Sequence, residues 1–357
     1  MILTSIRVVT EQREYRLDNI CPITVITGSS PSGKSRLLQI INKFVNNIDK
    51  MFLHIDGVSR LDVMLRLPEE ATYRIKRKYE RKWDIDLSEW AGDVRLIYNI
   101  QQSLNEFICQ VEGETVLHVV KRVADDTVVT NIRRPVSIEL KSNVNTVQEL
   151  YKIINESPHA HLLSEFEELL LVSTEFCKDV VEALHINTRA LLIGPYVDYL
   201  TCVEPSDNDD ELYVGQHGEN TVRVLASLFV DGRVWPSLAK MISLLERMGI
   251  KRLRCGYRNG KIAISCLSPK GELVICPELP CSVKTLITYY TQLIAAPKYS
   301  IILIDNFDYC LSQSICEAFP RLLKDCVISK KCQIIAEVHN SDNVKCLATE
   351  YTVMYTI

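Results

Sequence analysis

Gly28-Ser29-Ser30-Pro31-Ser32-Gly33-Lys34-Ser35 is the stretch that decides how this chain reads. It satisfies the phosphate-binding pattern G-x-x-x-x-G-K-[ST] in full. Ahead of it, Ile23-Thr24-Val25-Ile26-Thr27 is β-branched and predicts a buried strand. Behind it, Arg36-Leu37-Leu38-Gln39-Ile40-Ile41 opens a helix. Strand, glycine loop and helix in that order build an anion cradle, because the loop N–H groups form a concave nest and the helix N-terminus adds positive partial charge. The expected ligand is ATP with Mg2+, held by Gly28, Ser29, Ser30, Ser32, Gly33, Lys34, Ser35 and Arg36. Lys34 would reach the β- and γ-phosphates, and Ser35 would offer its hydroxyl to the magnesium ion. A Ser/Gly turn without a ligand is the competing account.

Composition sets outer bounds. The 357 residues, 47% of them hydrophobic, suffice for one large or two ordinary domains. A net charge of −4 gives no global attraction to nucleic acid, so any such contact must come from a local patch. No apolar run approaches the ~18–20 residues of a membrane span, and the start, Met1 to Val9, alternates like a strand rather than a signal peptide. The expectation is a cytoplasmic protein without a membrane partner. Thirteen cysteines occur, none in a C-x-x-C pair, which leaves zinc-ribbon and redox-motif readings without support. They read as small buried apolar residues, with disulfide pairing the alternative.

Along the chain, the first ~45 residues read as strand, turn, strand, phosphate loop and helix. Residues 50–140 show short alternating runs, such as Leu61 to Leu67 and Val111 to Leu117, and predict a mostly antiparallel subdomain. From Thr146 to Ile186 the period becomes helical: Leu162, Leu163, Phe166, Leu169, Leu170, Phe176, Val180, Val181 and Leu184 trace an apolar stripe, with Pro158 separating two helices. Arg258-Asn259-Gly260-Lys261 is a hairpin turn signal, followed by a second turn at Ser268-Pro269-Lys270-Gly271. Residues 204–211 read as an exposed acidic loop. The last strand expected is Cys332 to Ala336.

A phosphate-loop ATPase also needs an acid at the end of a neighbouring strand, to help hold magnesium. Ile301-Ile302-Leu303-Ile304-Asp305 fits that role. With these two segments in place, the chain resembles the ABC-type ATPases of the SMC, RecF and OLD class. Ile304-Asp305-Asn306-Phe307-Asp308-Tyr309-Cys310-Leu311 looks like that class's I-D-E-P-E-x-x-L segment, and Ile334-Ile335-Ala336-Glu337-Val338-His339-Asn340-Ser341 resembles its switch strand I-I-x-T-T-H-S. Ile193-Gly194-Pro195 and Val214 to Asn220 are similar to intervening segments of OLD-type ATPases. Pro280-Cys281-Ser282-Val283-Lys284-Thr285-Leu286 falls where the class carries its signature G-x-S-Q-x-L.

The resemblance implies an α/β P-loop NTPase, an ABC-type head with a mixed or parallel core sheet, an antiparallel β subdomain and a helical insert. The boundaries expected are 1–145 for the lobe with the phosphate loop, 146–190 for the insert, and 191–357 for the lobe with signature, acid strand and switch histidine. It implies catalytic roles for Lys34, Asp305 and His339, metal contacts from Ser35 and Asp305, and a second-head contact to nucleotide from Ser282, aided by Lys284. Ending 18 residues after His339, the chain is expected to lack the OLD-type nuclease domain.

Departures from the pattern matter too. Asn306 stands where the class has the Glu that activates water, and an amide cannot take the proton. Asp308 and Glu337 are the nearest substitutes by sequence, and Val197 stands where relatives often carry Arg. His339 could be a structural histidine and Asn306 a plain turn residue. Slow or partner-dependent hydrolysis follows.

Arg74, Lys76, Arg77, Lys78, Arg81 and Lys82, interleaved with Tyr73, Tyr79 and Trp83, could meet DNA phosphates, or could be a solvated face anchored by its aromatics. Lys251, Arg252, Arg254, Arg258 and Lys261 form a weaker cluster. The expected partners are a second copy on ATP binding, DNA, and a protein docking at the insert. The function implied is an ATP-gated clamp in DNA maintenance, chromosome organisation or defence. A regulatory or scaffold protein with a fixed nucleotide is the alternative, and a phosphotransferase lacks any evident acceptor site.

Overall fold

A computed structural model describes residues 2–29, 32–101, 104–122, 127–132, 136–141, 144–156, 165–194, 200–204, 213–309, 319–339, 343 and 347–357. The chain forms two compact units, Met1–Ile20 with Lys43–Arg189, and Cys21–Asn42 with Ala190–Ile357. Among the described residues, no helix is long and apolar enough to cross a membrane.

The opening differs from expectation by one strand. β1 (Ile2–Thr10) returns as the short β2 (Glu14–Leu17), antiparallel to it, and only then does β3 (Ile23–Thr27) run into the phosphate loop, in the other unit. In the first unit follow β4 (Val58–Arg66), β5 (Asp93–Ile100), β6 (Leu104–Val111), β7 (Glu114–Arg122), β8 (Thr127–Ile132) and β9 (Val136–Lys141). They join in one antiparallel sheet in the order β2-β1-β4-β5-β6-β7-β8-β9. Glu112 and Gly113, both at positive φ, make the two-residue turn between β6 and β7.

A helix interrupts this run of strands where the basic residues lie. With α1 (Lys34–Val45) the first helix, α2 spans Glu69–Trp83. Ala71, Thr72, Ile75 and Tyr79 are its buried residues, at helical spacing, and Glu69 and Glu70 open it while Arg81 and Lys82 close it, each charge suiting the helix dipole. α3 (Val147–Asn155) starts with a capping box, the Thr146 hydroxyl accepting from the Glu149 N–H while Glu149 accepts from the Thr146 N–H. α4 (Glu165–Asn187) carries the longer helical stripe, with Phe176, Val180, Val181 and Leu184 buried. Leu162, Leu163 and Pro158 lie outside the described residues, as do the side chains of Phe166, Leu169 and Leu170. Phe176 sits edge-on to Tyr79 at 5.1 Å and tilted against Trp90 at 5.4 Å.

The second unit is built on a parallel sheet. β10 (Ala190–Ile193), β14 (Ile301–Ile304), β15 (Gln333–Glu337) and β16 (Thr352–Thr356) join β3 in the order β10-β14-β15-β3-β16, every pair parallel. Parallel strands covered on both faces read as continuous apolar runs, and β10, β14 and β15 are buried at every position. β16 is the strand the sequence reading missed, since it alternates, sits at the edge and stays half exposed. Around the sheet lie α5 (Thr221–Val230), α6 (Trp235–Arg247), α7 (Cys281–Ala295) and α8 (Phe319–Lys330), with Val283 to Ala295 of α7 buried. β11 (Lys251–Arg258), β12 (Lys261–Leu267) and β13 (Leu273–Ile275) make a small antiparallel sheet, whose first turn places Asn259 and Gly260 at positive φ as Asn-Gly predicts. Residues 205–211 of the acidic loop lie outside the described residues.

Candidate functional site

In a parallel α/β sheet, ligands gather where the strands end at their carboxyl edge. β3, β14 and β15 are neighbours, and the residues that leave them are Gly28, Asp305 and Glu337. Gly28 has φ +150, and a Cβ there would stand 2.1 Å from the Ile357 carbonyl oxygen, so the loop's first turn requires glycine. Gly33 is also at positive φ. Ser32 N–H donates to the Ser29 carbonyl, and Leu37 N–H to the Gly33 carbonyl, where α1 begins. Ser30 and Pro31 lie outside the described residues.

Lys34 folds back into its own loop. Its ammonium donates to the carbonyls of Gly28 (3.1 Å) and Ser29 (3.3 Å) and to Ser32 Oγ (3.2 Å), and is buried. It also stands 3.6 Å from Glu337 Oε1. Ser35 Oγ donates to Glu337 Oε2 at 2.9 Å. Arg36 is exposed on the first turn of α1.

Asp305 follows the last residue of β14, its N–H held by the Ile193 carbonyl. It is buried, close enough to Glu337 to act on that carboxyl. Burial pushes Glu337 up, Asp305 pushes it further by hydrogen bond and charge, and Ser35 and Lys34 pull it back, leaving it at about 7. The other oxygen, Asp305 Oδ1, is buried without a hydrogen-bond partner. Such an orphaned oxygen is costly and marks a place for a cation or water. Together with the Ser35 hydroxyl and Glu337 it gives an all-oxygen donor set that fits a hard divalent ion. Among the described residues no three His, Cys, Asp or Glu side chains could hold a metal alone. Magnesium here would need phosphate oxygens to complete its shell, its usual habit.

Asn306 takes φ +52, a conformation Asn tolerates, and its Oδ1 is likewise buried without a partner. The two candidate substitutes for the missing Glu have different surroundings. Asp308 accepts the His339 N–H at 3.0 Å and an Asn343 Nδ2 hydrogen at 3.2 Å, and so braces the segment after β15. Glu337 lies in the cluster itself, with His339 Nε2 3.7 Å from its Oε1. Sequence had pointed to Glu337 only as a neighbour of His339. Its contact with Ser35, 302 residues away, had no local signal.

Ser282 stands half-buried on the first turn of α7, and no hydrogen bond joins it to Lys34, Ser35, Asp305 or Glu337. Lys284 is buried one residue pair further on, which removes it as an accessible phosphate contact. Gly194 N–H donates to the Gln216 carbonyl, while Pro195, Val197, Cys310, Leu311, Asn340 and Ser341 lie outside the described residues.

The basic run of α2 is partly spent within its own unit. Lys78 pairs with Glu175 (2.8 Å) and Asp179 (2.5 Å), and Lys82 with Glu175 (2.8 Å). Lys76 donates to the Ser88 carbonyl, and Arg77 lies over the Tyr73 ring. Arg74 and Arg81 are exposed.

No family model matches the chain, and no curated protein matches it. Among solved structures it is similar to the SMC head domain from Thermotoga maritima, at 12% identity and a TM-score of 0.45, over 100% of this chain and 94% of that one. It is also similar to an SmcHead bound to the C-winged helix domain of ScpA, at 13% identity and 0.46, over 97% and 92%. A third is an Smc head domain with an extended coiled coil bound to the C-terminal domain of ScpA, derived from Pyrococcus furiosus, at 11% identity and 0.42, over 96% and 91%.

Proposed function

We propose that this chain is an ATP-binding P-loop ATPase head of slow intrinsic turnover. One observation supports it above the rest: Lys34 and Ser35, at the phosphate loop, both meet the buried Glu337, and beside it stands a buried Asp305 whose Oδ1 has no partner. In this reading Gly28 to Ser35 cradle the phosphates, Lys34 turns from its loop carbonyls to face them, and Ser35 and Asp305 hold magnesium. The ion would offset charge developing on the terminal phosphate. His339, tied through its backbone N–H to Asp308 and with Nε2 3.7 Å from Glu337, would then sense the γ-phosphate. Asn306 cannot act as a base, so the carboxylate left to orient water is Glu337.

Titration calorimetry of MgATP into wild type and Lys34→Ala tests the binding step, and equal affinity would end the assignment. Wild-type turnover should stay below roughly ten per second, the usual enzyme median, and Asn306→Glu should raise it. A chain that binds ATP and shows no turnover, alone or with DNA, favours the regulatory or scaffold reading.

The resemblance of the motifs supports a further reading, an ATP-gated dimer in DNA maintenance, chromosome organisation or defence. Ser282 would then supply the second head's contact. Sedimentation should show a dimer with MgATP that nucleotide-free protein and Ser282→Arg do not form. DNA contact through α2 would fall mainly to Arg74, Arg77 and Arg81, and reversing these charges should flatten the salt dependence of any binding. A protein partner at the insert of α3 and α4 belongs to the same reading.

A further inference from the structure

The phosphate pocket holds one more buried carboxylate than its motif requires. Glu337 and Lys34 both have side chains only 2% exposed, and their charges stand 3.6 Å apart. Asp305 is buried beside Glu337, Ser35 Oγ donates to Glu337, and His339 Nε2 is 3.7 Å from it. Among the described residues of this cluster, Lys34 is the buried ammonium that faces Glu337.

We infer that Glu337 makes a divalent cation compulsory for triphosphate binding, so that metal-free ATP is refused. The inference rests on the reading of Gly28 to Ser35 as the nucleotide cradle. To meet phosphates, Lys34 must turn its ammonium away from the Gly28 and Ser29 carbonyls and from Glu337. Glu337 then stays buried, loses its nearest full positive charge, and faces the approaching phosphate oxygens. Buried like charges without a partner are the costly arrangement, in which breaking a pair costs far more than the pair was worth. When a divalent cation accompanies the nucleotide, both carboxylates regain a counter-charge and Lys34 is released to the phosphates. Asp305 Oδ1, already buried and unpartnered, is poised for the same cation. A neutral side chain at 337 removes the penalty.

The test is calorimetric titration of the chain with ATP, once in excess MgCl2 and once in EDTA. Wild type should lose at least roughly 100-fold in affinity in EDTA, about 2.7 kcal/mol. Glu337→Gln should lose less than about tenfold between the two buffers. Glu337→Thr, shorter and also neutral, repeats the comparison if the amide variant does not fold. Wild-type affinity equal in both buffers overturns the inference, as does a neutral variant that keeps the full metal requirement. Absence of wild-type binding even in MgCl2 is a different failure: it removes the nucleotide reading, and this inference with it.

Discussion

Among the described residues, lysine meets buried carboxylate on α2 and α4 and again at the phosphate loop, with opposite outcomes. On α2 and α4, Lys78 and Lys82 face Glu175 and Asp179 at matching four-residue spacing, and the Tyr79 hydroxyl donates to Asp179. Each carboxylate there has at least two donors, and the lysine side chains remain 37% and 49% exposed. In the phosphate pocket Lys34 is buried, Glu337 is pushed up to about 7, and Asp305 keeps an oxygen with no partner. The first cluster is satisfied and fastens two helices. The second is left incomplete, with an unpartnered oxygen at the carboxyl edge of the parallel sheet, and such unsatisfied clusters are candidates for function rather than bracing.

That contrast can be broken by substitution. The largest effect should come from Phe176→Ala, which empties the ring cluster beneath the α2–α4 brace and should cost about 3–5 kcal/mol in denaturant unfolding. Lys34→Ala should weaken MgATP by roughly 100-fold, since it removes a charged donor to phosphate, and should also lower the melting temperature, since it leaves buried Glu337 without its ammonium. Glu337 supplies a pH signature. Its folded-state value lies above the ordinary 4.5, so the stability of its neutral form is present below about pH 4.5 and is lost as pH rises through about 7. Nucleotide-free wild type and Glu337→Gln should therefore melt alike near pH 5, and by pH 8 wild type should be the less stable, by on the order of 1–3 kcal/mol. Glu175→Ala should destabilise least, by about 1 kcal/mol, because solvent screens its half-exposed lysines, and MgATP affinity should not move. A Glu175 variant that lost nucleotide, or a Lys34 variant that kept it, would erase the distinction.

Legibility in the sequence followed the range of the interactions. The phosphate loop is contiguous and needs only its own glycines and flanks, and β14 with Asp305 is an apolar run closed by an acid. The Asn259-Gly260 hairpin is equally local. By contrast, β2 is four residues long and β16 alternates at a sheet edge, so neither has an apolar run to announce it. α2 was hidden by its charge, although Ala71, Ile75 and Tyr79 repeat every four residues. Its lysines find their carboxylates about a hundred residues on, and Ser35 finds Glu337 across nearly the whole chain. No window along the sequence contains both members of such pairs.

Asp308 accepts with both of its oxygens, one from the His339 backbone N–H and one from the Asn343 side-chain amide. It lies three residues after Asp305, on the turn that leaves β14, and Phe307 on the same turn donates its N–H to the Glu337 carbonyl. The exits of β14 and β15 are therefore joined by two hydrogen bonds, His339 N–H to Asp308 and Phe307 N–H to the Glu337 carbonyl. A displacement of His339 by a terminal phosphate would pull on the turn that carries Asp305 and Asn306, so loss of that phosphate would be felt at the acid and the histidine in one movement.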